Sequence, residues 1–148
     1  MVFITRLLRA LVILLVVTIG YCFSSSTKVV LRGEIDTKKY MGYNYKVEVT
    51  SDNYCVSSTS PKDGILNPGT GVTFTIDFKS GAFSYCGWRH SSQLFHVQKY
   101  DDPNIAASFQ WYKPAGALKS AHINVKDDPH GIVHVNSEHS IYIGYPRK

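Results

Sequence analysis

In the middle of the chain apolar and polar residues alternate strictly: Val72, Phe74, Ile76 and Phe78 are separated by Thr73, Thr75 and Asp77 and followed by Lys79. Successive side chains of an extended strand point to opposite faces, so this period of two predicts a strand with four apolar groups on one face. Turn residues flank it, Asn67-Pro68-Gly69-Thr70-Gly71 before and Lys79-Ser80-Gly81 after. They predict a hairpin whose returning strand is Ala82–Trp88. Further strands are expected over Lys28–Ile35, Tyr43–Thr50, Gln93–Tyr100, Ala107–Tyr112, Ala121–Val125, Gly131–Val135 and Ser140–Tyr145. Turn clusters such as Pro61-Lys62-Asp63-Gly64 and Asp127-Asp128-Pro129 separate them. Short strands at this spacing, with no 3.6-residue pattern between them, predict an all-β fold, an antiparallel β-sandwich of about seven to nine strands. Phe74, Phe78, Phe83, Phe109 and Trp111 are expected to fill its core. Ser24–Thr27 reads as a flexible lead-in to the first strand.

The N-terminus departs from this pattern. Arg6 and Arg9 precede an unbroken apolar run, Ala10 to Thr18, and small and polar residues follow from Gly20. A short positive segment, an apolar stretch of about 7–15 residues and small residues behind it make a secretory signal peptide. A membrane span needs about 20 apolar residues, more than the run supplies. Residues 1–24 are therefore expected to form a signal helix, cut at one of positions 20–24. Residues 25–148 are expected to be one secreted, extracellular domain.

Removing 24 of 148 residues leaves 124, enough to bury a core without a dense disulfide framework. If Cys22 leaves with the signal, Cys55 and Cys86 remain as a pair in an oxidising compartment and are expected to bond. Closing a loop of about 30 residues stabilises by roughly 3 kcal/mol in the chain-entropy account. A cut after Gly20 would instead leave Cys22 as a spare thiol. The chain has 16 Lys and Arg against 11 acidic residues, and loss of Arg6 and Arg9 leaves 14 against the same 11. So small and scattered an excess argues against a nucleic-acid partner.

Candidate chemistry is sparse. Of the six histidines, His130, His134 and His139 lie near the C-terminus with His122 upstream. Only residues two apart share a strand face, and Gly131 interrupts the segment, so no metal site is expected. Ser84, Ser91, Ser92 and Ser108 have no nucleophile-elbow context, and the paired aspartates Asp101-Asp102 and Asp127-Asp128 precede prolines in turns. No catalytic residue, cofactor or enzymatic activity is therefore assigned. Aromatic residues are plentiful, and on an outer face they suit protein or carbohydrate recognition. Tyr43 and Tyr45 would share a strand face. With Lys38, Lys39 and Tyr40 they form one candidate contact patch for a membrane surface or glycan, as in a membrane-active toxin or lectin-like effector.

One stretch resembles a known family. Cys55-Val56-Ser57-Ser58 leads through Pro61-Lys62-Asp63-Gly64 and Leu66-Asn67-Pro68-Gly69 to the Phe-rich alternating strand, then to Phe83-Ser84-Tyr85-Cys86-Gly87-Trp88 and Leu94-Phe95-His96-Val97. With Phe109-Gln110-Trp111-Tyr112-Lys113 downstream, residues 45–116 resemble the plant self-incompatibility S-proteins, small secreted β-sandwich proteins. Cys55 and Cys86 match two of that family's four cysteines; Ala106, Ala107 and Phe109 stand where the second pair is expected. The resemblance implies a ligand recognised by a cell-surface protein receptor through loops at the sandwich ends. The matching loops are Ser57–Asn67 and Arg89–Gln93, which makes Ser57, Lys62, Asp63, Asn67, Arg89, His90 and Gln93 the candidate partner-binding residues.

Overall fold

The computed structural model describes residues 9, 12, 23–35, 42–80, 85–116 and 119–145. The strands are β1 (Phe23–Gly33), β2 (Tyr45–Tyr54), β3 (Val56–Ser60), β4 (Asp63–Leu66) and β5 (Gly71–Ser80). After a short 3-10 turn, Tyr85–Trp88, come β6 (Ser91–Lys99), β7 (Asp102–Lys113), β8 (His122–Asp127), β9 (Val133–Ser137) and β10 (Ser140–Ile143). They form two five-stranded sheets, ordered β3-β5-β1-β10-β9 and β4-β2-β6-β7-β8. The pairing is antiparallel except between β1 and β10, which run parallel.

Alternation along the strands fills the space between the sheets. Val29 and Leu31 of β1, Phe74, Ile76 and Phe78 of β5, and Ile141 and Ile143 of β10 are buried from one side. Tyr45 and Val47 of β2, Phe95 and Val97 of β6, and Phe109 and Trp111 of β7 meet them from the other. Phe74 stands edge-on to Phe95 across the gap, and Phe78 is tilted against Trp111, each pair with ring centroids 5.3 Å apart. Burying each such side chain contributes about 1.5–3 kcal/mol. The sandwich and the expected core residues Phe74, Phe78, Phe109 and Trp111 are therefore present; Phe83 lies outside the described residues.

Three expectations about elements are corrected. Ser24–Thr27 is not a lead-in but part of β1, paired residue for residue with Lys79 to Ile76 of β5. Of the expected returning strand, Ala82–Ser84 lie outside the described residues, and Tyr85–Trp88 do not pair with β5. β1 and β3 occupy both sides of β5, so no edge is free, and Tyr85–Trp88 coils into the 3-10 turn. The polar loop expected over Ser57–Asn67 contains two strands, β3 and β4, one at the edge of each sheet. Edge strands made of exposed serines, as in β3, or opening on Asp-Gly, as in β4, carry little alternating pattern. The expected leader lies almost wholly outside the described residues, among which no helix is long and apolar enough to cross a membrane.

The chain crosses from the second sheet to the first at Cys55, the step between β2 and β3. Its φ of 53° lies in the left-handed region, uncommon outside glycine. The expected bridge to Cys86 is formed there, with Cα atoms 5.6 Å apart. It ties the 3-10 turn to the crossing point. The second sheet thus has two distinct ends, one at Tyr54 and the disulfide, the other where Tyr45 pairs with Leu66 and Lys99.

Candidate functional site

At the disulfide end, one rung runs across four strands of the second sheet: Tyr54 of β2 pairs with Ser92 of β6, Ser92 with Tyr112 of β7, and Tyr112 with His122 of β8. Neighbours in sequence fix its direction. Gln93 and Trp111 face the core, so Ser92 and Tyr112 face outward. The His90 ring stacks on Tyr54 at 4.6 Å and on Tyr112 at 5.1 Å, and Tyr112 is tilted against His122 at 5.0 Å. Ser92 is buried although it points away from the core, because these rings flank and cover it.

The 3-10 turn projects beyond this rung. Trp88 is 75% and Tyr85 65% exposed, the most exposed large hydrophobic side chains among the described residues. The Tyr54 and Tyr85 hydroxyls lie 3.2 Å apart, and the Arg89 guanidinium sits 4.5 Å over the Tyr85 ring. The bond to Tyr85, and after it Arg89, hold the Tyr54 phenol below its ordinary pKa. The same bond, and after it desolvation, hold Tyr85 above. Arg89 is thereby oriented by two phenols as well as by the disulfide-bonded turn.

Between the turn and the loop after β7 opens a groove of about 650 Å³. Trp88, Arg89 and His90 line it together with Tyr112, Pro114, Ala115 and Lys119. The Lys113 ammonium donates to the carbonyls of Gly116 and Lys119, at 3.0 and 2.5 Å, and so fastens the loop that carries Lys119. The groove is aromatic, cationic and open to solvent.

Of the candidate partner-binding residues, the structure brings together only Arg89 and His90. Ser57 lies on edge strand β3, where its hydroxyl donates to the Asp77 carbonyl at 2.9 Å. Lys62 and Asp63 are exposed where β4 begins, and the Lys62 carbonyl accepts from the Val49 amide. Asn67 is at the opposite end, where its carbonyl accepts from the Thr70 amide and hydroxyl. Gln93 is corrected outright. It is 1% exposed, its amide bonded to the Thr59 hydroxyl of the first sheet at 3.0 Å and to the Thr50 carbonyl at 2.9 Å. Strand parity turns it inward, where a buried amide persists only if its polar atoms are paired.

In the second candidate patch one residue, Tyr45, is corrected. Tyr45 is 1% exposed, its hydroxyl donating to the Gly144 carbonyl at 2.5 Å, while Tyr43 precedes β2 and packs edge-on against Tyr145. Lys38, Lys39 and Tyr40 lie outside the described residues. The C-terminal histidines are dispersed: His130 contacts the Asn104 carbonyl at 3.1 Å, and His139 stands beside Glu138 at 3.3 Å. Among the described residues no three metal-ligating side chains are grouped. Tyr54, Tyr85, Trp88, Tyr112 and His122 carry the site, although none of them is a binding candidate in the sequence and His122 is weighed there only as a metal ligand. The signal was a register of aromatic residues across strands far apart in the chain. Comparison with protein-family models, curated proteins and solved structures finds no match.

Proposed function

We propose that this is a secreted binding protein, a ligand recognised by a cell-surface protein receptor, and that it docks through the disulfide end of its second sheet. The observation that carries the reading is the exposure of Trp88 and Tyr85, beside Arg89, on a turn held by Cys55–Cys86. Trp, Tyr and Arg are the residue types that dominate protein-binding hot spots. A disulfide-anchored turn presents them already ordered, so less conformational entropy is lost on docking. The resemblance of residues 45–116 to the self-incompatibility S-proteins implies the same role. The alternative of a membrane-active or lectin-like effector loses part of its proposed contact patch with the burial of Tyr45.

The test is saturation binding of the labelled mature protein to intact cells. Wild-type protein is expected to bind saturably. Reduced and alkylated protein is expected to lose binding, and Trp88→Ala to bind at least 30-fold more weakly, the equivalent of about 2 kcal/mol for a hot-spot side chain. Unchanged binding by Trp88→Ala would overturn the assignment of the surface. Leakage from liposomes lacking any receptor would favour the membrane reading instead.

A further inference from the structure

Resting on the receptor reading, we infer that the groove takes an acidic segment of the receptor, with carboxylates at Arg89 and Lys119 and an apolar or aromatic side chain against Trp88 and Tyr112. The sign of charge is the first argument. The groove holds two permanent cations and an imidazole, and none of its lining side chains is acidic. Two lysines outside the groove, Lys46 and Lys99, are answered locally by Glu48 and, at 2.8 Å, by Asp101. Among the described residues neither Arg89 nor Lys119 forms an ion pair.

The second argument is preorganisation. Arg89 is stacked on Tyr85 and has five N–H donors, more than its phenol neighbours can take, in a fork that matches a carboxylate. Lys119 is held at its backbone, where its carbonyl accepts from the Lys113 ammonium. The two cations flank apolar surface from Trp88, Pro114 and Ala115. That pairing of charge with flat apolar wall fits a peptide bearing both an acidic and an aromatic side chain.

The lining also bears on the kind of partner. Sugar hydroxyls must donate as well as accept, and among the lining side chains only His90 and Tyr112 can accept from them. An acidic protein segment needs only the donors that Arg89 and Lys119 supply.

The chain has two tryptophans, and Trp111 is fully buried, so the exposed Trp88 reports on the groove. The experiment titrates the full-length mature protein with a Glu/Tyr-containing acidic pentapeptide, its Lys/Tyr counterpart, a sulfated oligosaccharide and anionic vesicles, following Trp88 fluorescence. Saturable binding of the acidic peptide alone is expected, weakened at least tenfold by Arg89→Glu, by Lys119→Glu or by raising salt from 50 to 300 mM. Equal binding of the Lys/Tyr peptide, or no response to the acidic one, would overturn the inference. So would tighter binding of the oligosaccharide or the vesicles. Both reversal variants are then tested on cells. Cell binding that falls with Trp88→Ala but not with either reversal overturns the acidic occupant and leaves the receptor reading standing. Acidic-peptide binding without any cell binding overturns the receptor reading and leaves the groove's preference intact.

Discussion

Two buried polar side chains show how single residues were misread and why they matter. Tyr45 looked like a surface tyrosine because Tyr40, Tyr43 and Tyr45 crowd one segment, but β2 begins at Tyr45 and strand parity sends its ring inward with Val47. Burial, and after it the neighbouring phenols of Tyr43 and Tyr145, raise its pKa far above the ordinary tyrosine value. A proton held more tightly in the folded chain stabilises fully below about pH 10, and that contribution is lost as pH climbs above it. Tyr45→Phe is expected to cost about 1 kcal/mol at neutral pH through the lost bond to Gly144. Because the variant cannot ionise there, urea unfolding should show the gap to wild type narrowing above pH 10; a constant gap would contradict this. The family resemblance puts Gln93 at the end of a matching loop. Gln93→Leu is expected to cost about 2 kcal/mol in the same assay, since the Thr59 hydroxyl and Thr50 carbonyl lose a buried partner, while cell binding is retained once folded.

Among elements, β5 was the most legible, because a strand buried on one face must alternate, and Val72 to Phe78 do. The disulfide was equally legible from cysteine pairing and an expected oxidising compartment. β3 and β4 were not. They are edge strands of five and four residues whose composition, Ser-Ser-Thr-Ser and Asp-Gly, is that of turns, and only their pairing with β5 and β2 makes them strands. The 3-10 turn lies where the turn residues Lys79-Ser80-Gly81 predict a returning strand, a signal that cannot distinguish a strand from a turn displaying an aromatic side chain. Its anchorage predicts the effect of removing the bridge. Cys55→Ala with Cys86→Ala is expected to lower unfolding free energy by about 3 kcal/mol and to abolish cell binding while the sandwich persists, because the turn loses its attachment to the β2–β3 crossing. Retention of full binding by a folded, bridge-free protein would show that the turn needs no such anchor.

At the scale of the molecule, the fold class followed from strand spacing, whereas the site did not, because it is assembled from β2, the turn, β6, β7 and β8. Tyr54, His90, Tyr112 and His122 span nearly seventy positions and meet only through sheet order. Arg89 and His90 are reached through a resemblance; Trp88, beside them, is expected at the end of the returning strand. The two ends of the second sheet now differ in what they offer. One carries Trp88, Tyr85 and Arg89 around a cationic groove, and the other carries Tyr100, 63% exposed, next to Lys99, whose charge is answered by Asp101.

That contrast supplies the sharpest test, since Trp88 and Tyr100 are exposed aromatics of similar accessibility at opposite ends. The measurement is the dissociation constant of Trp88→Ala and of Tyr100→Ala on the same receptor-bearing cells. A loss of at least 30-fold for the first and less than threefold for the second is predicted. Equal losses, or a loss confined to Tyr100→Ala, would contradict binding through the disulfide end.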